Sequence, residues 1–203
     1  MQIVVDWDGT ATERDSLLLI LEHFLPPALF ATLESELDAA LAARTMTHRE
    51  VMELEWDAMM APLDAIVAFV VERVRLRRGF ASFFRAFDPL ILSSSFYETI
   101  EPVLARDGVV ARVRANHLVA VPGGWRIDWQ SDAECDVCGE ACKRASLPQG
   151  PFVYVGDGYS DRCAALAAER VFARDRLARY LDEQGVAYEP FDDFDQIADA
   201  LTR

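Results

Sequence analysis

The sequence predicts an α/β fold, a parallel sheet with helices on both faces, and three observations carry that prediction. Short apolar runs at residues 3–5, 89–92 and 152–155 have the length and content of buried strands. Segments with apolar residues at three- and four-residue intervals lie between them, as amphipathic helices require. Each run also stops abruptly in a polar cluster: Asp6-Trp7-Asp8-Gly9-Thr10, Ser93-Ser94-Ser95 and Gly156-Asp157-Gly158-Tyr159-Ser160-Asp161. Strands alternating with helices form parallel sheets. Their exits share one edge, where open α/β sheets bind ligands.

Taken in order, Ile3, Val4 and Val5 are the first strand, and from Asp15 to about Gly79 the pattern is helical. The first helix, residues 16–25, ends at Pro26-Pro27, because proline disfavours helix in the residue before it. Residues 28–44 form a second helix with Leu29, Leu33, Leu37 and Leu41 on one stripe, and Thr47 to Glu50, T-x-x-E, is a capping box that starts a third. A fourth, 63–78, is closed by Gly79. The division is therefore a helical block, 15–79, inserted into a core made of 1–14 and 80–203.

Phe80, Phe83, Phe84 and Phe87 mark a core-facing helix before the second strand at 89–92. Residues 109–113 read as a further strand, and 116–121 with 125–129 alternate around Pro122-Gly123-Gly124 as a β-hairpin. After the strand at 152–155 come a helix over about 160–169, a last strand at 171–173, and helices over about 176–184 and 193–201.

Composition narrows the partners. The chain has 203 residues, 52% hydrophobic and 27% charged, which is globular rather than disordered. Lys+Arg of 20 against Asp+Glu of 34 gives a net charge of −14, which disfavours nucleic acid and anionic membrane as partners. A small anionic substrate is compatible with that charge if a metal or local cation offsets the field. Neither a membrane-length apolar stretch nor a secretory leader is present, so a cytoplasmic location is expected, with monomer and homodimer both open.

Asp and Gly are ordinary turn formers, so Asp6 to Thr10 taken alone is equally a turn and a site. Four carboxylates at one sheet edge are harder to explain as turns. Asp6, Asp8, Asp157 and Asp161 would raise one another's pKa unless something positive intervened. A hard divalent cation answers this; Mg²⁺ takes one or two protein carboxylates, here Asp6 and Asp157, with Asp161 supporting them from behind.

In this order the motifs resemble the haloacid dehalogenase superfamily, in its phosphoserine-phosphatase-like branch. Asp6 to Thr10 matches the nucleophile loop, Ser93 the hydroxyl ending the second strand, Lys143 the lysine, and Gly156 to Asp161 the acidic loop. The resemblance implies a Rossmann-like core, a small α-helical cap over 15–79, and an Mg²⁺-dependent phosphatase acting on a small phosphorylated metabolite. It implies that Asp6 attacks phosphorus to form an aspartyl-phosphate. Asp8 would protonate the leaving oxygen and then activate water, its backbone carbonyl joining Asp6 and Asp157 at the metal. Ser93 and the Ser94 amide would bind phosphate oxygens, and Lys143 would neutralise the nucleophile.

There are departures. Ser94 and Ser95 stand where relatives often have glycines, and Trp7 where Phe is more usual. Asp15 matches a position where amino-acid-specific relatives place an acid facing the substrate amine, although its local reading is a helix N-cap.

Cys135, Cys138 and Cys142 precede Lys143 with spacing C-x₂-C-x₃-C. They either hold zinc, with His117 or Cys163 as fourth ligand, or serve as thiols that shape the loop. The Arg73, Arg75, Arg77, Arg78 cluster either attracts phosphate or complements a helix C-terminus. His23 and His48 read as exposed or structural.

The Cys-rich stretch running into the lysine resembles the methionine-salvage phosphatases acting on 2-hydroxy-3-keto-5-methylthiopentenyl-1-phosphate. Phosphocholine/phosphoethanolamine and phosphoserine phosphatases are the alternatives. A different class, a catalytically idle member that binds a phosphorylated ligand, is opposed by the intact Asp6, Asp8, Lys143 and Asp157.

Overall fold

The structure, a computed structural model, describes residues 1–203. One seven-stranded sheet runs β4-β3-β2-β1-β5-β6-β7, from β1 (Gln2–Val5), β2 (Leu90–Phe96), β3 (Arg112–Val121), β4 (Gly124–Asp128), β5 (Phe152–Gly156), β6 (Arg170–Ala173) and β7 (Glu189–Pro190). Every pairing is parallel except the β3–β4 hairpin. From β1 the chain builds outward through β2 and β3, then crosses to the other side as β5. The strand order therefore reverses between β1 and β5, and the crevice at their carboxyl ends is the favoured ligand position.

Side-chain alternation along β1 explains the two layers of core. Ile3 and Val5 join a large cluster with Ile91, Val153 and Val155, while Val4 packs on the opposite face with Leu92, Tyr154 and Leu177. Helices α1 (Ser16–Phe24), α2 (Pro27–Ala43), α3 (His48–Asp57) and α4 (Leu63–Arg73) lie between β1 and β2, as the periodicity predicts. Thr47 and Glu50 form the expected reciprocal capping box. Ile20, Met52, Trp56 and Ile66 of this block share the large cluster with the sheet.

Several boundaries differ from the sequence reading. Helix α4 stops at Arg73, and Gly79 does not close it; with φ of +80° it is the N-cap of α5 (Phe80–Phe87). A Cβ at Gly79 would come within 2.7 Å of the Asp195 backbone nitrogen, so only glycine lets α5 start against α9 (Phe194–Leu201). Strand β2 takes in all three serines, although the ladder with β1 ends at Ile91 and the register with β3 is interrupted between Leu92 and Phe96, so the serines lie on an irregular stretch of the strand. Of the strands expected at 109–113 and 116–121, residues 112–121 form one continuous β3, and 109–111 precede it outside any strand. Helix α6 (Tyr97–Arg106), which carries Pro102 in its interior, and the two-residue β7 carried no clear sequence signal. The helix expected over 160–169 is one tight turn, Tyr159–Asp161, then α7 (Arg162–Ala165); α8 (Asp175–Gln184) and α9 follow as expected.

Candidate active site at the carboxyl edge of the sheet

Asp6 extends the ladder one residue past β1, its N–H donating to Val155 O at 2.9 Å. The chain then makes a wide turn in which Ala11 N–H donates to Asp6 O (3.3 Å) and Thr12 N–H to Trp7 O (3.0 Å). Gly9 allows this turn, with φ of +71°, and a Cβ there would sit 2.4 Å from Asp157 Oδ2. Lacking one, the loop presses against Asp157, whose Oδ1 accepts from the Thr10 hydroxyl at 2.6 Å.

Lys143 is the hub. Its side chain is 1% exposed, and its Nζ bonds Asp6 Oδ1 and lies 2.6 Å from Asp161 Oδ1. Asp161 also accepts from the Tyr154 hydroxyl (2.7 Å) and from the N–H groups of Asp157 and Gly158 (both 2.9 Å). Burial pushes Asp161 up, yet the Lys143 ammonium and these donors hold it below the usual carboxylate range. Lys143 loses by burial and gains more from Asp161 and Asp6, which keep it charged. Burial and the Asp161 charge push Asp6 well up, and the same two causes push Asp157 up to about 7.

These shifts test whether a metal fits. Carboxylate oxygens of Asp6, Asp157 and Asp161 lie within 4.8 Å of one another, against a single buried ammonium. Asp161 is saturated by protein donors, which leaves Asp6 and Asp157 with the excess negative charge. An oxygen-only set carrying uncompensated charge suits a hard divalent cation.

Asp8 points elsewhere. Its Oδ1 accepts from Ser16 N–H at 2.8 Å and from the Ser16 hydroxyl. Burial, then the neighbouring Asp15 charge, push it well up, so it holds a proton more readily than an ordinary aspartate. Asp15 caps α1, accepting from Leu18 N–H at 3.0 Å.

The serine stretch of β2 is braced by amides. Ser93 Oγ accepts from Ser95 N–H (2.9 Å), Asn116 Nδ2 donates to Ser94 O (2.6 Å), and Gln130 Nε2 donates to Ser93 O (3.0 Å). Beside it opens a cleft of about 150 Å³ whose walls include Ser94, Lys143, Arg44, His48 and Tyr159; Asp6, Asp8, Asp15, Ser93 and Asp157 are not among them. Burial and the Lys143 charge push His48 down to about 4, so it is neutral near pH 7.

Several of these partners were not picked out from the sequence. Tyr154 carried a signal, a hydroxyl within an otherwise apolar strand. Ser16, Asn116 and Gln130 carried none that spacing reveals. Of the arginine cluster only Arg73 lies in α4, so the helix-end reading fails for Arg77. Its guanidinium donates to the carbonyls of Gly9 (2.6 Å), Thr10 (2.8 Å) and Thr12 (3.0 Å). Of the two fourth partners considered for the cysteines, Cys163 brings its sulfur within 4.8 Å of the other three, while His117 Nδ1 is 2.7 Å from Glu98 Oε1.

The doubly wound sheet, the reversal point and the carboxylate–lysine cluster define a class of hydrolase. The family model of haloacid dehalogenase-like hydrolases matches residues 3–166, and the chain belongs to that family. Among its relatives is a 2-hydroxy-3-keto-5-methylthiopentenyl-1-phosphate phosphatase of Bacillus cytotoxicus, 27% identical over 99% of this chain and 95% of the relative. A protein of the same name from Geobacillus kaustophilus is 31% identical over 98% and 94%. The fold matches a phosphoserine phosphohydrolase-like protein from Francisella tularensis, with a TM-score of 0.72 and 18% identity over 98% of this chain and 99% of that one. A phosphoserine phosphatase solved as a phospho-aspartyl intermediate analogue also gives 0.72, at 14% identity over 98% and 97%.

Proposed function

We propose that this chain is an Mg²⁺-dependent phosphomonoesterase that forms an aspartyl-phosphate on Asp6, with the enol-phosphate 2-hydroxy-3-keto-5-methylthiopentenyl-1-phosphate as substrate. The observation that carries the chemistry is the buried Lys143 ammonium bonded to Asp6 beside a cleft lined by Ser94. The full-length likeness to phosphatases of that name supports the substrate.

In this reading a carboxylate oxygen of Asp6 forms a bond to phosphorus as the bond to the leaving oxygen breaks. Asp8, whose carboxyl burial pushes well above the usual range, gives its proton to that oxygen. Ionised, it then takes a proton from the water that attacks phosphorus, and the Asp6–phosphorus bond breaks to release inorganic phosphate. Lys143 neutralises Asp6 and the charge on the transferring group. Ser93 Oγ accepts from Ser95 N–H, which leaves its own hydrogen free for a phosphate oxygen, as is the Ser94 amide in this scheme. Asp6, Asp157 and the Asp8 carbonyl would hold Mg²⁺, which when bound offsets the carboxylate charge and polarises the phosphoryl group.

Residues 15–79 serve as a cap that excludes water over the core formed by 1–14 and 80–203. Asp15 would serve an amine-bearing substrate; the enol-phosphate has no amine, which leaves Asp15 its capping bond. A small metabolite as substrate fits a cytoplasmic enzyme, and no helix is long and apolar enough to cross a membrane.

The test is hydrolysis of p-nitrophenyl phosphate and of a panel of phosphorylated metabolites with and without Mg²⁺. Turnover should require Mg²⁺, be greatest in kcat/KM on the enol-phosphate, and fall roughly 10³-fold or more in Asp6→Asn. Absence of turnover, or an Asp6→Asn variant equal to wild type, overturns the enzyme reading. Preference for phosphocholine or phosphoserine replaces the substrate and keeps the mechanism.

A further inference from the structure

Between β4 and β5 the chain runs through residues 129–151 with one short helical turn, Lys143–Ser146, and a single isolated bridge, Glu134 to Ala141. So long an irregular path inside a compact fold calls for a clip, since little backbone pairing holds it. Its fixed point is Lys143, which must be held against Asp6 and Asp161.

Three of the four cysteines lie on this path, and the fourth, Cys163, follows the acidic loop on α7. All are free thiols, and their four sulfurs lie within 4.8 Å of one another. A tetrahedral site with Zn–S bonds of about 2.3 Å has sulfurs about 3.8 Å apart. Small rotations of the side chains therefore close the site without moving the backbone path. We propose that Cys135, Cys138, Cys142 and Cys163 bind one structural Zn²⁺ that clips the Lys143 loop to the acidic loop.

The local backbone is shaped for this. Val137 N–H donates to Cys135 Sγ at 3.4 Å, a bond that stabilises a thiolate ligand. Gly139, with φ of +76°, turns the chain straight after Cys138; its N–H donates to Cys135 O at 2.8 Å, and Cys135 N–H donates to Glu140 O at 2.9 Å. Cys135 and Cys163 are buried, while Cys138 is exposed, so the site has a closed inner side and an open route for loading. Four soft sulfur donors select zinc over magnesium or calcium. As four S–Zn bonds form, the four thiol protons pass to solvent. The resulting double negative charge has a basic neighbour in Arg144, which donates to Cys163 O at 3.1 Å.

The consequence for the active site is positional. Cys142 immediately precedes Lys143, and Cys163 comes two residues after Asp161, so one ion would fix both partners of the Lys143–Asp161 pair. This site uses no residue of the proposed phosphoryl-transfer chemistry and stands whether or not the chain turns over phosphate esters.

Elemental analysis of the full chain, purified in reducing buffer without added zinc, tests the idea. It should find about one zinc per chain, with the four thiols silent toward a disulfide reagent until a mercurial or strong chelator releases the metal. Cobalt loading should add sulfur-to-metal charge-transfer bands and intense tetrahedral d–d bands, and Cys138→Ser should lose both. Wild-type protein that carries no stoichiometric zinc, takes up none on titration, and has four freely reacting thiols overturns the proposal. So does stoichiometric iron in place of zinc. Both readouts come from the wild-type chain, so a variant that fails to fold leaves the test intact.

Discussion

Arg77 ties the nucleophile loop to the chain that returns from the helical block. Three of its four carbonyl acceptors lie at Gly9, Thr10 and Thr12, and the fourth is Asp192 O at 3.4 Å. Hydrogen bonds from a charged donor are among the stronger ones in a protein, and a guanidinium spreads five donors in a fixed planar fork where an ammonium gathers three on one atom. Arg77→Ala should therefore let the loop drift and lower kcat about 10²-fold with KM little changed, since small misplacements of reacting groups cost that much. Steady-state kinetics check this, and Arg77→Lys should recover only part of the loss. A variant that merely lowers thermal stability, with kcat intact, would reduce Arg77 to a structural brace. The carboxylates were legible because each stands directly after an apolar strand run. Arg77 was not, because carbonyls it bonds lie more than sixty residues away in sequence and are brought together only by the fold. Asp15 illustrates a second limit: an acid before a helix and an acid facing a substrate look identical until the bond to Leu18 is seen.

Helix α3 carries a carboxylate whose surroundings are acidic. Glu55 is half-buried, and burial, then the charges of Asp15 and Asp38, push it up to about 8. A carboxyl raised in the folded state binds its proton more tightly there than when unfolded. Its contribution is therefore intact below about pH 4.5 and is lost progressively as pH rises through about 8. Glu55→Gln should stabilise the protein at about pH 8.5 by roughly 1–2 kcal/mol, after allowing for solvent screening, and leave it unchanged near pH 5. Denaturant unfolding at the two pH values measures the difference, and equal effects at both would show that Glu55 is already solvated as a carboxylate. Helix α3 itself was legible from its capping box. Helix α6 was not: Pro102 interrupts its hydrogen-bond ladder, and its helix survives because Ile100, Val103 and Leu104 bury against the sheet. Packing overrode local propensity there.

Across the whole molecule the helical block is fastened unevenly. Helices α1, α3 and α4 send Ile20, Trp56 and Ile66 into the cluster that also holds Val5 and Ile91, and Trp56 meets the Phe96 ring edge-on at 4.6 Å. Helix α2 buries only Leu37 fully. Phe30 and Leu33 pack partly buried against that cluster, and Asp38 adds a polar tie, paired in two contacts (2.9 and 2.6 Å) with Arg176 on α8, both side chains about half exposed. The Arg176 bond lowers Asp38 below its usual range, so the fastening is present at neutral pH and is lost as pH falls through the lowered value. An exposed pair of this kind is worth about 0.5–1 kcal/mol and weakens with salt. Asp38→Asn should accordingly speed hydrogen exchange of α2 amides by roughly twofold to fivefold, with the amides of β1 and β5 unchanged, and raising salt should bring the wild type toward the variant. If instead α1 to α4 exchange together, the block opens as one body, and the motion proposed for a cap belongs to all of residues 15–79. If α2 alone responds, the mobile part is the single helix that the sequence marked with a leucine stripe but that the fold leaves largely outside the core.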